Sequence, residues 1–317
     1  PPELSLHLLQ GPPRKPPPRT DKRKPRPWPP HPLHSANLAF IGGGNMCAAI
    51  VGGLLAKDIM PKDRITVSEP WDVNRQKMAD LGVQTTTSNK DAAQAADLLV
   101  LAVKPQVAKG VCQELAATWA ADSARKELPL IVSIAAGITL DSLTAWFTGP
   151  DGRAPNVVRV MPNTPALLGE GASGLFAGAG VSAAEKELVT SLLESFSKAT
   201  EWVDREELID VVTGLSGSGP AYFFAMVEHL VASAKAQGLS EEQAMRLAKQ
   251  TCFGAGKMLV ESSETPTQLR KNVTSPNGTT EAALKSFETS GFESIVDKAV
   301  RAASSRGEEL GKILGQS

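Results

Sequence analysis

One stretch limits the fold of this 317-residue chain more than any other: Leu38-Ala-Phe-Ile-Gly-Gly-Gly-Asn-Met-Cys-Ala-Ala-Ile50. Four apolar residues run into three glycines, and an apolar, Ala-rich segment of helical length follows to about Lys57. The pattern predicts a buried strand, a tight turn and the first turn of a helix. Such a turn aims free backbone N–H groups and the positive end of a helix dipole at one point, which suits a pyrophosphate. Gly42 and Gly44 occupy the first two positions of G-x-G-x-x-G, and Cys47 the third. Ile41, Gly42, Gly43, Gly44, Asn45 and Met46 are therefore the expected cradle. An ordinary strand–helix turn is the plainer reading; the strand before and the helix after favour dinucleotide binding.

The chain that follows repeats the strand–helix alternation. Strands are expected at Arg64–Glu69, Val83–Thr86, Asp97–Val103, Pro129–Ile134 and Asn156–Met161, with helical segments between them. That order implies a mainly parallel, doubly wound sheet, in which ligands bind at the carboxyl ends of strands. Ser68 and Glu69 close the second strand, where an adenine ribose is read. From about Ala183 the texture turns helical: Ala183–Lys198, Glu207–Leu215, Pro220–Gln237, Ser240–Ser262 and Thr279–Leu314 with a break near Gly291. Residues Ala221–Ala236 are apolar nearly all round, as in a helix of a large core or a subunit interface. The expected organisation is a Pro-rich arm over 1–36, a dinucleotide-binding domain over 37–203 and a helical domain over 204–317.

Composition enters as a filter. The arm holds twelve of the 23 prolines and a charge of +5, leaving −6 on the rest. A segment of that kind cannot bury enough surface to fold, and reads as a passive polyproline-type tail, with an SH3-type ligand as the alternative. An acidic body gives no support for nucleic-acid binding, and no apolar run is long enough for a membrane span. Three widely spaced cysteines, Cys47, Cys112 and Cys252, point to a reducing compartment, the cytoplasm, with mitochondria as the alternative. Outside the arm His229 stands alone, so histidine-cluster metal sites and a Ser-His-Asp triad are not expected; His229 itself reads as a core or interface residue.

Three segments carry a resemblance. They are Arg159-Val-Met-Pro-Asn-Thr-Pro165, Val212-Thr-Gly-Leu-Ser-Gly-Ser-Gly-Pro-Ala-Tyr222 and Gln268-Leu-Arg-Lys-Asn-Val-Thr-Ser-Pro-Asn-Gly-Thr-Thr-Glu281. Together they resemble the pyrroline-5-carboxylate reductase family, and the likeness runs from about Leu38 to Leu314. It implies an α/β fold, a Rossmann-type doubly wound sheet followed by an all-helical dimerisation domain. It also implies NADPH- or NADH-dependent reduction of 1-pyrroline-5-carboxylate to L-proline by a homo-oligomer, a dimer or a ring of dimers. Asn277 stands where many members have a second glycine, and Asn tolerates the left-handed backbone such a position adopts.

The chemistry asked of such a chain is modest. A protonated imine already accepts hydride, so the protein must orient it, hold its carboxylate and manage a proton. Free N–H groups at Thr279 and Thr280, opening a helix, suit a carboxylate. Alone, a Thr there reads as a helix cap; by resemblance, the Thr280 hydroxyl meets the ring nitrogen. The resemblance also places Glu264 at the substrate nitrogen. It places Asn89, Asn272, Ala102, Val103, Lys104 and Pro105, and Ile134, Ala135 and Ala136, along the coenzyme. Two other readings are weighed: a β-hydroxyacid dehydrogenase-like enzyme using Lys235, Lys249 or Lys257 as base, and a silent nucleotide-binding scaffold.

Overall fold

The protein was examined as a computed structural model that describes residues 33–316. The expected arm therefore lies outside the described residues up to Pro32. Its last residues do not: Leu33 is wholly buried in the core and the Ser35 carbonyl accepts from Arg64 Nη1 at 2.9 Å.

The first half is a single eight-stranded sheet. In chain order its elements are β1 (Leu38–Ile41), α1 (Asn45–Ala56), β2 (Ile65–Ser68), α2 (Asp72–Asp80), β3 (Gln84–Thr86), α3 (Asn89–Ala93), β4 (Leu98–Leu101), α4 (Pro105–Ala121), β5 (Leu130–Ser133), α5 (Leu140–Phe147), β6 (Val157–Met161), β7 (Gly171–Ala177), α6 (Ala183–Leu193) and β8 (Ser197–Trp202). The strand order is β3-β2-β1-β4-β5-β6-β7-β8, parallel throughout except between β6 and β7. β1, β4 and β5 are buried on both faces, which explains their unbroken apolar sequences. Along β1, Leu38 and Phe40 join the core beneath α1 and α6, while Ala39 and Ile41 join the core beneath α3, α4 and α5.

The expected doubly wound parallel sheet is present, with two additions. β7 was not anticipated, and the helix expected over Ala183–Lys198 stops at Leu193, giving way to β8. β7 lacks the usual apolar signal because close approach selects small residues. A Cβ on Gly174 would stand 2.7 Å from the Val212 side chain, and one on Gly171 2.8 Å from Ser197 Oγ. β8 lies at the sheet edge and carries Lys198, Thr200 and Glu201.

The second half is helical: α7 (Leu208–Val212), one π-helical turn (Thr213–Gly217), α8 (Gly219–Ala236), α9 (Glu241–Glu261), α10 (Pro266–Asn272), α11 (Thr279–Thr289) and α12 (Phe292–Gln316). α7, the π turn and α12 pack together and onto the sheet. α8 and α9 pack chiefly on each other. α8 buries only Gly219 and Val231, and α9 only Ala244. No helix among the described residues is long and apolar enough to cross a membrane.

Candidate functional site

The carboxyl ends of β2, β1, β4 and β5 lie side by side, so four turns meet along one edge of the sheet. Backbone hydrogen bonds continue the ladder into these turns: Gly42 N to Ser68 O at 2.9 Å, Ala102 N to Ile41 O at 2.8 Å, and Ile134 N to Leu101 O at 3.1 Å. Residues far apart in sequence (41–46, 68–69, 102–105 and 134–136) thereby form one row.

The first turn fits a phosphate. Gly42 has φ +103°, and a Cβ there would stand 2.6 Å from Ala102 O, so only glycine suits the position. Gly44 caps α1 through its backbone, and a Cβ on it would meet nothing within 4 Å. The first turn of α1 has neither a side-chain cap nor an acidic residue. Its first N–H groups therefore have no side-chain acceptor from the helix itself, beside the open space at Gly44. Cys47 turns away, fully buried with Sγ 3.9 Å from Met78 Sδ. Burial, and behind it the Glu69 charge, push its thiol far above the ordinary range.

At the end of β2, Glu69 is buried and both its carboxylate oxygens are engaged. Gly43 N donates to Oε2 at 2.7 Å and Trp71 N to Oε1 at 2.9 Å. The carboxylate therefore braces the glycine turn from the end of β2. Arg75 is tethered beside it, donating to Glu69 O at 3.0 Å and Pro70 O at 3.2 Å while pairing with Asp72. Ser68 Oγ donates to Asn89 Oδ1 at 2.7 Å, and Asn89 Nδ2 donates to Glu114 at 3.0 Å, so the Asn89 amide is fixed at both ends. Lys104 is exposed at the start of α4.

The helical half builds a second group. Asn272 Nδ2 donates to Glu264 Oε2 at 2.8 Å, and Gln268 Nε2 donates to Asn272 Oδ1 at 2.8 Å. Asn277 adopts φ 58°, the left-handed conformation expected of it, and its N–H donates to Glu281 at 2.7 Å. Gly278 then caps α11, placing Thr279 and Thr280 in the first turn, Thr280 half-buried. Beside this turn is a cavity of about 1080 Å³ whose lining carries both signs of charge, Arg270, Lys271 and Lys285 against Glu281, Glu288 and Glu293.

Within one chain the two groups stay apart. α9, α10 and α11 make no extended contact with the sheet or its helices, so the Thr280 turn is not carried to the glycine turn. Sequence reasoning also passed over a buried ion pair at the junction of the halves. Arg159 on β6, only 5% exposed, pairs with Glu206, which also accepts from Leu140 N at 2.6 Å. Its one signal in sequence is an arginine between Val158 and Val160 in an otherwise apolar strand.

Comparison with known proteins agrees with this architecture. Residues 206–310 match the family model for pyrroline-5-carboxylate reductase dimerisation, and residues 37–137 match that for NADP oxidoreductase, coenzyme F420-dependent. The pyrroline-5-carboxylate reductase of Pseudomonas aeruginosa is 48% identical over 285 residues, 90% of this chain and 100% of the relative. The solved pyrroline-5-carboxylate reductase of Coxiella burnetii superposes with a TM-score of 0.79 at 40% identity, over 87% of this chain and 99% of that one. The Plasmodium falciparum pyrroline carboxylate reductase, solved with NADP bound, gives a TM-score of 0.74 at 29% identity, over 88% and 99%. On identity and coverage alike, this chain belongs to the pyrroline-5-carboxylate reductase family.

Proposed function

We propose that the chain reduces 1-pyrroline-5-carboxylate to L-proline with NADPH or NADH, the last step of proline synthesis. The observation that carries this reading is a phosphate-cradling glycine turn and the Asn277–Thr280 turn on one chain of this family. A bound dihydronicotinamide supplies hydride to the iminium carbon, and the ring nitrogen keeps its proton and becomes the amine. The residues 41–46 hold the pyrophosphate through backbone N–H groups, as the open space at Gly44 allows. Ser68, Glu69 and Asn89 hold the adenosine ribose, and residues 102–105 and 134–136 line the path towards the nicotinamide. The Thr279 and Thr280 N–H groups hold the substrate carboxylate at the start of α11. The Thr280 hydroxyl and Glu264, steadied by Asn272, address the ring nitrogen.

The site is completed by a second copy of the chain. The dimerisation segment leaves Phe223, Phe224 and Phe253 more than 60% exposed, a patch too apolar for solvent. We assign it to an intertwined homodimer that brings the partner's Thr280 turn to each glycine turn, with a ring of dimers as the larger form. The cytoplasm fits three cysteines that are all free. Of the lysines weighed as a dehydrogenase-like base, Lys235 and Lys257 form surface pairs with Glu241 and Glu261, and Lys249 lies beside the apolar residues Phe224, Val231 and Phe253 of α8 and α9.

The test is direct. Purified chain supplied with 1-pyrroline-5-carboxylate and NADPH, then NADH, is expected to oxidise coenzyme only when imine is present and to yield L-proline. No proline with either coenzyme would reject the reading.

A further inference from the structure

The pair of buried Arg159 and half-buried Glu206 sits where both ends of one turn proposed to face the coenzyme are gripped. The turn runs from Ile134 to Thr139, between β5 and α5. At its start, Ser133 stands in register with Arg159 of the neighbouring strand, so the two share a face of the sheet. At its end, the N–H of Leu140, first residue of α5, donates to Glu206 Oε1 at 2.6 Å. The same oxygen pairs with the Arg159 guanidinium. One carboxylate thus joins β6, the first turn of α5 and the chain entering α7. It also adds a second acceptor and a second negative charge to a helix N-terminus that the Thr139 side chain caps, accepting from Ser142 N at 3.3 Å, and that carries Asp141 in its first turn.

The turn is gripped from above as well. Gly137, at φ +75°, would meet Leu310 Cβ at 3.1 Å if it carried a Cβ, and a Cβ on Gly311 would stand 3.0 Å from Gly137 O. α12 therefore rests directly on the turn. The charged groups facing the pair from α7, α12 and the α7 approach are Asp210, Glu308, Lys312 and Glu207, around a cavity of about 410 Å³.

A buried ion pair is weak evidence for stability, since desolvation offsets most of the attraction. A role in holding geometry accounts better for it here. We infer that Arg159 and Glu206 are positioning residues. They lock the 134–139 turn to the helical half, so that Ile134–Ala136 present a fixed wall to the nicotinamide end of the coenzyme. The inference rests on the proposed reductase reading.

The test separates positioning from bulk stability. Three variants are compared with wild type: Glu206→Gln, which removes the negative charge that holds both the Arg159 guanidinium and the Leu140 N–H; Arg159→Met; and the double variant. Arg159→Met leaves Glu206 and Asp210 as uncompensated neighbours, so it should have the lowest Tm. The double variant removes the unpaired charge and should recover much of that Tm. If the pair positions the turn, kcat in the double variant stays down by ~tenfold or more while KM for the imine moves less than ~twofold. Amide exchange at Leu140 in Glu206→Gln should quicken by ~tenfold. A double variant with recovered Tm and with kcat and coenzyme Kd within ~twofold of wild type would overturn the inference, as would unchanged Leu140 exchange. A wild-type chain inactive on the imine would instead reject the reductase reading, and the exchange and coenzyme-binding arms would still decide the positioning role.

Discussion

Glu69 is proposed to serve two roles with one carboxylate. It accepts from Gly43 N and Trp71 N, which holds it buried at the carboxyl end of β2. An acid there accepts from a ribose 2′-hydroxyl and repels a 2′-phosphate. Arg75, tethered to Glu69 O, Pro70 O and Asp72, is the nearby cation that offsets this repulsion. Glu69→Ser should therefore shift the kcat/KM ratio toward NADPH by roughly tenfold, about 1.4 kcal/mol. An unmoved NADPH/NADH ratio would leave Glu69 a brace for the glycine turn and nothing more. Thr280→Ala keeps the first turn of α11 and its N–H groups but removes the hydroxyl. The expected loss in kcat/KM is ~10²-fold with coenzyme affinity unchanged; wild-type kinetics would reduce Thr280 to a helix-opening residue. The types and spacing of these residues are legible in sequence. Their partners are not: that Glu69 grips Gly43, or that Cys47 turns to Met78, depends on contacts across 26 and 31 residues.

At the scale of elements, consecutive glycines in α1 behave oppositely. A Cβ on Gly52 would meet nothing within 4 Å, whereas one on Gly53 would stand 2.5 Å from Ser195 O, a backbone atom beside β8. Gly52→Ala should raise stability by about 0.5–1 kcal/mol from helix propensity. Gly53→Ala should lower it by ~1–3 kcal/mol because a carbonyl cannot step aside; thermal melts of the two variants moving in the same direction would contradict this. β7 and β8 are hidden for reasons of their own: β7 admits the Val212 side chain against Gly174, and β8 is an edge strand carrying Lys198, Thr200 and Glu201. Periodicity reveals strands that bury large apolar side chains, as in β1, β4 and β5. Strands that admit a helix or a neighbour at close range are written in Gly, Ser and Ala, and resemble loops. α7 adds a pH effect. Burial, then the carboxylates Glu308, Glu206 and Glu207, raise the Asp210 pKa against the opposing pull of Arg159. A carboxyl with a raised folded pKa stabilises when protonated, and that stability is lost as pH rises through the folded pKa. Asp210→Asn should thus match wild-type Tm near about pH 4 and exceed it near about pH 7. A gap that does not widen with pH would place Asp210 in solvent.

For the whole molecule, the two groups of proposed site residues lie on different elements. The sheet carries the residues proposed to hold coenzyme and α10–α11 carry the Thr280 turn, and among the described residues α10 and α11 make no extended contact with the sheet. The helix expected to lie in a core or an interface, α8, buries only Gly219 and Val231 of its 18 residues, so the interface is what remains. Phe223 and Phe224 are 61% and 68% exposed, Phe253 65% and Val260 83%, and they lie along α8 and α9, which pack on each other. Exposed area of that size is stable in water only when a second surface covers it. A two-fold dimer through α8 and α9 would cover it with its own copy. Phe224→Asp places a charge in the middle of that surface, where burial without a partner costs several kcal/mol. The variant should elute and scatter as a monomer, because the sheet has its own two cores and needs no partner to fold. It should still bind NADPH, since residues 41–46, 68–69 and 102–105 all come from one chain. Imine reduction, which on the proposed shared site draws on the partner's Thr280 turn, should fall by ~10²-fold or more. Rising enzyme concentration should restore some of it by mass action. A monomeric Phe224→Asp variant with wild-type kcat would show that the Thr280 turn reaches its own chain's coenzyme, and that the exposed phenylalanines serve assembly alone.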